Sequence, residues 1–177
     1  GCVDLIVTSP PYGDSRTTVA YGQFSRLALQ WLGYEDIMGL DNKLLGGKAT
    51  KGLDVKINSP TLKEIIKKIE NIDKKRAREV LSFYEDFDKC VVQLDRVMAK
   101  NGHVCFVVGN RTVKGINIPT DKIMSEMFKA RGNYKYITTH ERTIPNKRMP
   151  KLNSPSNKIG QKVTTMCNEF IFVLQKV

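Results

Sequence analysis

Val3-Asp4-Leu5-Ile6-Val7-Thr8-Ser9-Pro10-Pro11-Tyr12-Gly13 is the stretch on which the fold turns. Residues 3–7 are apolar except for Asp4, and Pro10 and Pro11 end any ladder because neither carries an N–H to donate. The segment reads as a buried strand feeding a turn. In an open α/β sheet, ligands bind in the crevice beyond the carboxyl ends of the strands, so the turn is a site candidate by position alone.

Its chemistry points the same way. The two prolines remove backbone donors and fix φ, so the turn offers carbonyl acceptors that are held still, and Ser9 Oγ adds another acceptor. Such a wall suits an amino group. Engaging both N–H bonds of an exocyclic amine draws its lone pair out of conjugation and aims it at an electrophile, while Tyr12 gives a flat face for a heterocycle. The plainer readings are a strand-ending turn with an exposed tyrosine or a proline-rich docking peptide; the preceding strand and the following Gly13-Asp14 favour an enzymatic loop.

Outward from the turn, Phe24, Leu27, Ala28 and Trp31 predict a short helix over 23–32, closed by Gly33. Residues 39–58, with four glycines, read as a flexible connection. Thr61 and Glu64 have capping-box spacing, and Leu62, Ile65, Ile66, Ile69 and Ile72 form one stripe of a helix. A longer helix follows, with Ala77, Val80, Leu81, Tyr84, Phe87, Val91, Leu94, Val97 and Met98 inward and Asn101-Gly102 as its stop. Residues 103–108 form an apolar strand, 120–131 a helix capped by Gly132, and 134–144 and 163–174 two further strands. This order produces an α/β fold with a mostly parallel sheet and helices on its faces; the last two strands, joined without a helix, form an antiparallel pair at one edge. His103 and His140 fall in strands and read as satisfied sheet residues.

The chain of 177 residues is sized for a single domain, and no apolar run approaches the roughly 20 residues that span a bilayer. Cys2, Cys90, Cys105 and Cys167 are widely separated, with no CxxC pair and no leading signal peptide, so neither a disulfide framework nor a zinc cluster is expected. The expectation is a reduced, cytoplasmic protein with no metal and no membrane partner. A net charge of +11 attracts polyanions such as nucleic acid or acidic membrane surfaces. The excess is concentrated: residues 110–177 carry thirteen basic and four acidic side chains. Within 142–162 there are six positive charges, no acid, and Pro145, Pro150, Pro155 and Gly160 as breakers, which reads as a basic loop. Such a loop is either a solvated surface stretch or a phosphate contact.

The segment from Val3 to Tyr12 resembles the catalytic motif of amino-methylating DNA methyltransferases, which transfer methyl from S-adenosylmethionine to cytosine N4 or adenine N6; serine at the first motif position is more often the N4-cytosine form. The helix ending near Met98, and the strand leading to Val108-Gly109-Asn110-Arg111, are similar to the segment after that motif. The resemblance implies a partial Rossmann-like methyltransferase sheet, in which Ser9 and the Pro10 carbonyl hold the target amine, Pro11 stiffens the turn and Tyr12 stacks on a base flipped from duplex DNA. It makes Thr8, Ser9 and Asp14 candidates for the cofactor, with Ser15 beside them. Arg142, Lys147, Arg148, Lys151, Lys158 and Lys162 would grip phosphates, and Asn153, Ser154 and Asn157 would add contacts to the duplex. The family's Gly-x-Gly cofactor motif is missing, which implies a truncated chain, a split-gene subunit or a permuted half that carries only part of the cofactor pocket. Such a sheet exposes an edge and apolar faces, which favours self-association or a partner subunit. A non-catalytic nucleic-acid-binding subunit and an RNA methyltransferase are the competing functions.

Overall fold

A computed structural model describes residues 1–13, 21–35, 37, 39–144, 152–153, 163–164 and 168–177. Its main sheet has four strands. β1 (Val3–Thr8) runs parallel to β2 (Met98–Gly109), which pairs antiparallel with β8 (Asn168–Lys176), and β8 pairs antiparallel with β5 (Tyr134–Thr143) at the edge. Three strands therefore share one direction, consistent with part of a Rossmann-like methyltransferase sheet. The antiparallel pair lies at one edge as expected, but the reversed strand β8 is the inner member, wedged between β2 and β5.

Among the described residues there are four α-helices: α1 (Tyr21–Trp31), α2 (Pro60–Glu70), α3 (Lys74–Val97) and α4 (Thr120–Lys129). The last three share one core with one face of the sheet, where Val104, Phe106 and Val108 of β2 and Phe172 and Leu174 of β8 alternate inward. Phe106 is the hub. Its ring meets Phe87 of α3 at 6.2 Å, Phe128 of α4 at 5.7 Å and Phe172 of β8 at 5.6 Å between centroids, mostly edge to face. The opposite face is thinly covered: Leu5 is 59% and Val7 64% exposed.

Several boundaries differ from the sequence expectation. Helix α2 is capped by Ser59, not Thr61: the Ser59 side chain accepts from the Leu62 N–H, and Pro60 sits at the first helical position, where its missing N–H costs nothing. Thr61 and Ser59 both donate to the Glu126 carboxylate of α4 instead, at 2.6 and 2.5 Å, which ties the two helices together. Ile72 lies past the end of α2 and is exposed. Helix α3 stops at Val97, and β2 begins at once with Met98, because the chain is drawn into pairing with Val3. Asn101, at φ 66°, then sits in a strand irregularity rather than a helix cap.

Sequence reading missed a small hairpin, β3 (Arg111–Val113) with β4 (Ile116–Ile118), turned by Lys114 and Gly115 at φ 51° and 79°. The expected strand over 163–174 is divided: Val163–Thr164 (β7) pairs with Leu152–Asn153 (β6), and β8 is separate. The 39–58 connection contains one 3-10 turn, Leu40–Asn42, and is fastened to α3 where the Gly46 N–H meets Asp86 at 3.0 Å and Ser82 donates to the Lys48 carbonyl. No described helix is long and apolar enough to cross a membrane.

Phe106→Ala is expected to remove about 3–5 kcal/mol of stability in urea unfolding, since three aromatic neighbours lose a partner. Ser59→Ala is expected to cost about 1–2 kcal/mol, through loss of the cap and of its bond to Glu126.

Candidate functional site

Parallel pairing places the end of β1 beside the end of β2, with Thr8 opposite Phe106. Because β8 runs the other way, its first residues arrive at this same end: Glu169 is opposite Gly109 on one side and Arg142 on the other. The carboxyl ends of β1, β2 and β5 and the start of β8 therefore converge on the Ser-Pro-Pro-Tyr turn.

Thr8 and Ser9 are exposed there, Pro10, Pro11 and Tyr12 are half-buried, and Gly13 is buried. Tyr12 packs its ring against the edge of the core. Its hydroxyl donates to Glu169 Oε1 at 2.8 Å and lies 3.2 Å from Ser9 Oγ. The other carboxylate oxygen of Glu169 takes the Arg142 guanidinium. Gly13 lies against Arg111, where a Cβ would come within 2.2 Å of Nη1, so a side chain at that point requires the Arg111 guanidinium to move. Asn110, one residue beyond β2, accepts the Thr120 N–H at 2.7 Å and fastens the start of α4 to this end of the sheet.

The electrostatics follow from these contacts. The hydrogen bond from Arg142 holds the Glu169 carboxyl below its ordinary value. Burial, opposed by the Ser9 hydrogen bond and aided by Glu169, pushes the Tyr12 phenol up. At neutral pH the pair is thus a carboxylate and a protonated phenol, an acceptor facing a donor. Burial likewise raises the Cys90 thiol.

The structure brings together Thr8, Ser9, Pro10, Pro11, Tyr12 and Arg142 of the sequence-derived candidates. Arg142 is ion-paired with Glu169 while remaining 59% exposed. Asp14, Ser15, Lys147, Arg148, Lys151, Ser154, Asn157, Lys158 and Lys162 lie outside the described residues, as does Cys167; Asn153 is described only as part of β6. Two members escaped sequence reasoning, Glu169 and Arg111. Glu169 had a usable signal: it is an acid at the head of an apolar strand, in a stretch, 110–177, that carries thirteen basic side chains and only four acids.

Glu169 also gives the site a pH signature. A carboxyl lowered by folding stabilises the native state above its ordinary value of 4.5 and loses that contribution as pH falls through the lower folded value. Below pH 4.5 the wild type is therefore expected to lose stability more steeply than Glu169→Gln, as measured by thermal unfolding against pH.

No protein-family model matches the sequence. The chain is 51% identical over 182 aligned residues to the Type II methyltransferase M.MvaI of Kocuria varians, an alignment that covers 97% of this chain and 40% of the relative. It is thus homologous along nearly its whole length to a segment of that protein, and spans well under half of the relative's length.

Proposed function

We propose that this chain is the base-holding part of a Type II DNA methyltransferase, and that it acts on the exocyclic amine of a base flipped out of duplex DNA, most specifically cytosine N4. The carrying observation is that a chain 51% identical to a Type II methyltransferase carries the Ser9-Pro10-Pro11-Tyr12 turn at the carboxyl end of β1, with Ser9 Oγ 3.2 Å from the Tyr12 hydroxyl. Ser9 Oγ and the Pro10 carbonyl take the two amine protons, and the free face of Tyr12 receives the ring of the base. Held in this way, the nitrogen lone pair turns out of conjugation with the ring. The protein's contribution is orientation.

The methyl group comes from S-adenosylmethionine, whose sulfonium makes that carbon electrophilic. Thr8 and Ser9 carry exposed hydroxyls at the carboxyl end of β1. Two hydroxyls do not supply partners for an adenosine, a carboxylate and an ammonium together, so in this reading they supply only part of that pocket.

The remaining walls come from outside this segment. The apolar residues Leu5 and Val7 of β1, and Phe24, Leu27 and Trp31 along one stripe of α1, are all more than half exposed. An apolar strand beside an open edge is a template for further pairing. These surfaces support a reading in which further protein, a longer chain or a partner subunit, covers them and completes the cofactor site.

In the full-length protein, Ser9→Ala and Tyr12→Ala are each expected to cut kcat/KM for labelled methyl transfer to duplex DNA by about 100-fold, and unchanged turnover overturns the proposal. The basic segment supplies phosphate contacts, with Arg142 at its start. Lys147→Ala combined with Arg148→Ala is expected to reduce the salt slope of DNA binding by about 2, at about 0.9 per contact. An unchanged slope removes these residues from the footprint.

A further inference from the structure

We infer that Glu169, backed by Arg142, is a positioning residue for the base-holding turn: it fixes the direction of the hydrogen bonds running from Ser9 through Tyr12, so that Ser9 is left as a pure acceptor toward the substrate amine. This rests on the methyl-transfer reading above.

Counting protons fixes the direction of each bond. The Arg142 guanidinium only donates, and the Glu169 carboxylate only accepts. One carboxylate oxygen takes Arg142, and the other takes the Tyr12 hydroxyl at 2.8 Å. Tyr12 has a single proton, and its bond to an ionised acceptor is stronger than any it makes to a neutral hydroxyl. The proton is therefore committed to Glu169. The contact of 3.2 Å between Tyr12 Oη and Ser9 Oγ still needs a proton, and the Ser9 hydroxyl supplies it. With its O–H turned toward Tyr12, Ser9 presents only lone pairs elsewhere. Without Glu169, the Tyr12 proton turns toward Ser9, the Ser9 proton is displaced outward, and a donor meets the donors of the amine.

The strand register holds this relay in place. Arg142 and Glu169 face one another across the β5–β8 ladder, and Glu169 also lies across from Gly109 at the end of β2. The carboxylate is thus carried by the sheet rather than by the turn it orients. The lowered pKa of the Glu169 carboxyl, caused first by Arg142, and the raised pKa of the Tyr12 phenol, caused first by burial, keep the first ionised and the second protonated at neutral pH.

The test uses the full-length protein. Glu169→Ala is expected to lower kcat for methyl transfer roughly 10-fold or more while KM for DNA changes less than about twofold, and Glu169→Gln, which keeps a carbonyl acceptor for the Tyr12 proton, regains most of the rate. In a Tyr12→Phe background, which keeps the ring and removes the proton to be oriented, Glu169→Ala is expected to add no further loss. An undiminished kcat in Glu169→Ala, or an equal loss in both backgrounds, overturns the inference. Should the wild type transfer no methyl group at all, the functional proposal fails by itself, and the relay is then read by NMR of 13C-labelled tyrosine, with the Tyr12 signal identified by its absence in Tyr12→Phe. Glu169→Gln is expected to lower the pH at which Tyr12 ionises; an unmoved midpoint overturns the relay whatever the activity.

Discussion

One constraint governs this molecule: Val3–Thr8 must lie parallel to Met98–Gly109. A parallel neighbour requires a crossover, and here that crossover contains α1, the 39–58 connection, α2 and α3. Its payoff is geometric. Strand β1 ends at the same level as β2, so the proline turn is delivered to the ligand end of the sheet and not to its side. The reversed strand β8 then brings its first residues to that end, which is how an acid 157 positions away in sequence comes to meet Tyr12. Stability and site share one support, because β2 also carries Phe106, on which α3, α4 and β8 converge.

Much of this was legible in the sequence, and for identifiable reasons. Periodicity located α2, α3 and α4, since their apolar positions recur at the helical interval and are buried. The turn from Ser9 to Tyr12 was legible because proline chemistry is local. Boundaries were less so. Pro60 shifted the cap from Thr61 to Ser59, and pairing with Val3 ended α3 at Val97, before the Asn101-Gly102 stop, so a tertiary contact overrode a local signal. The hairpin at Lys114-Gly115 was missed because its strands are three residues each, too short to show alternation.

The site divides in the same manner. Ser9, Pro10, Pro11 and Tyr12 are contiguous and can be read together. Glu169 cannot, since nothing local to Tyr12 names its partner; only the strand order, with β8 between β2 and β5, puts the carboxylate there. Arg142 has a partner that charge counting does not reveal. In sequence it is the first member of a cationic run, whereas in the fold it is opposite Glu169 in the ladder and ion-paired to it.

Two kinds of surface thus meet on this chain. At one end hydroxyls and a half-buried phenol converge, and on one side Leu5, Val7 and the α1 stripe are uncovered; under the proposed function the first receives an amine and the second is covered by more protein. The most direct measurement of the account is mass spectrometry of nucleosides from DNA of cells expressing the full-length protein. The account predicts N4-methylcytosine that disappears with Ser9→Ala. DNA without any methylated exocyclic amine, or methylation confined to RNA, would contradict it.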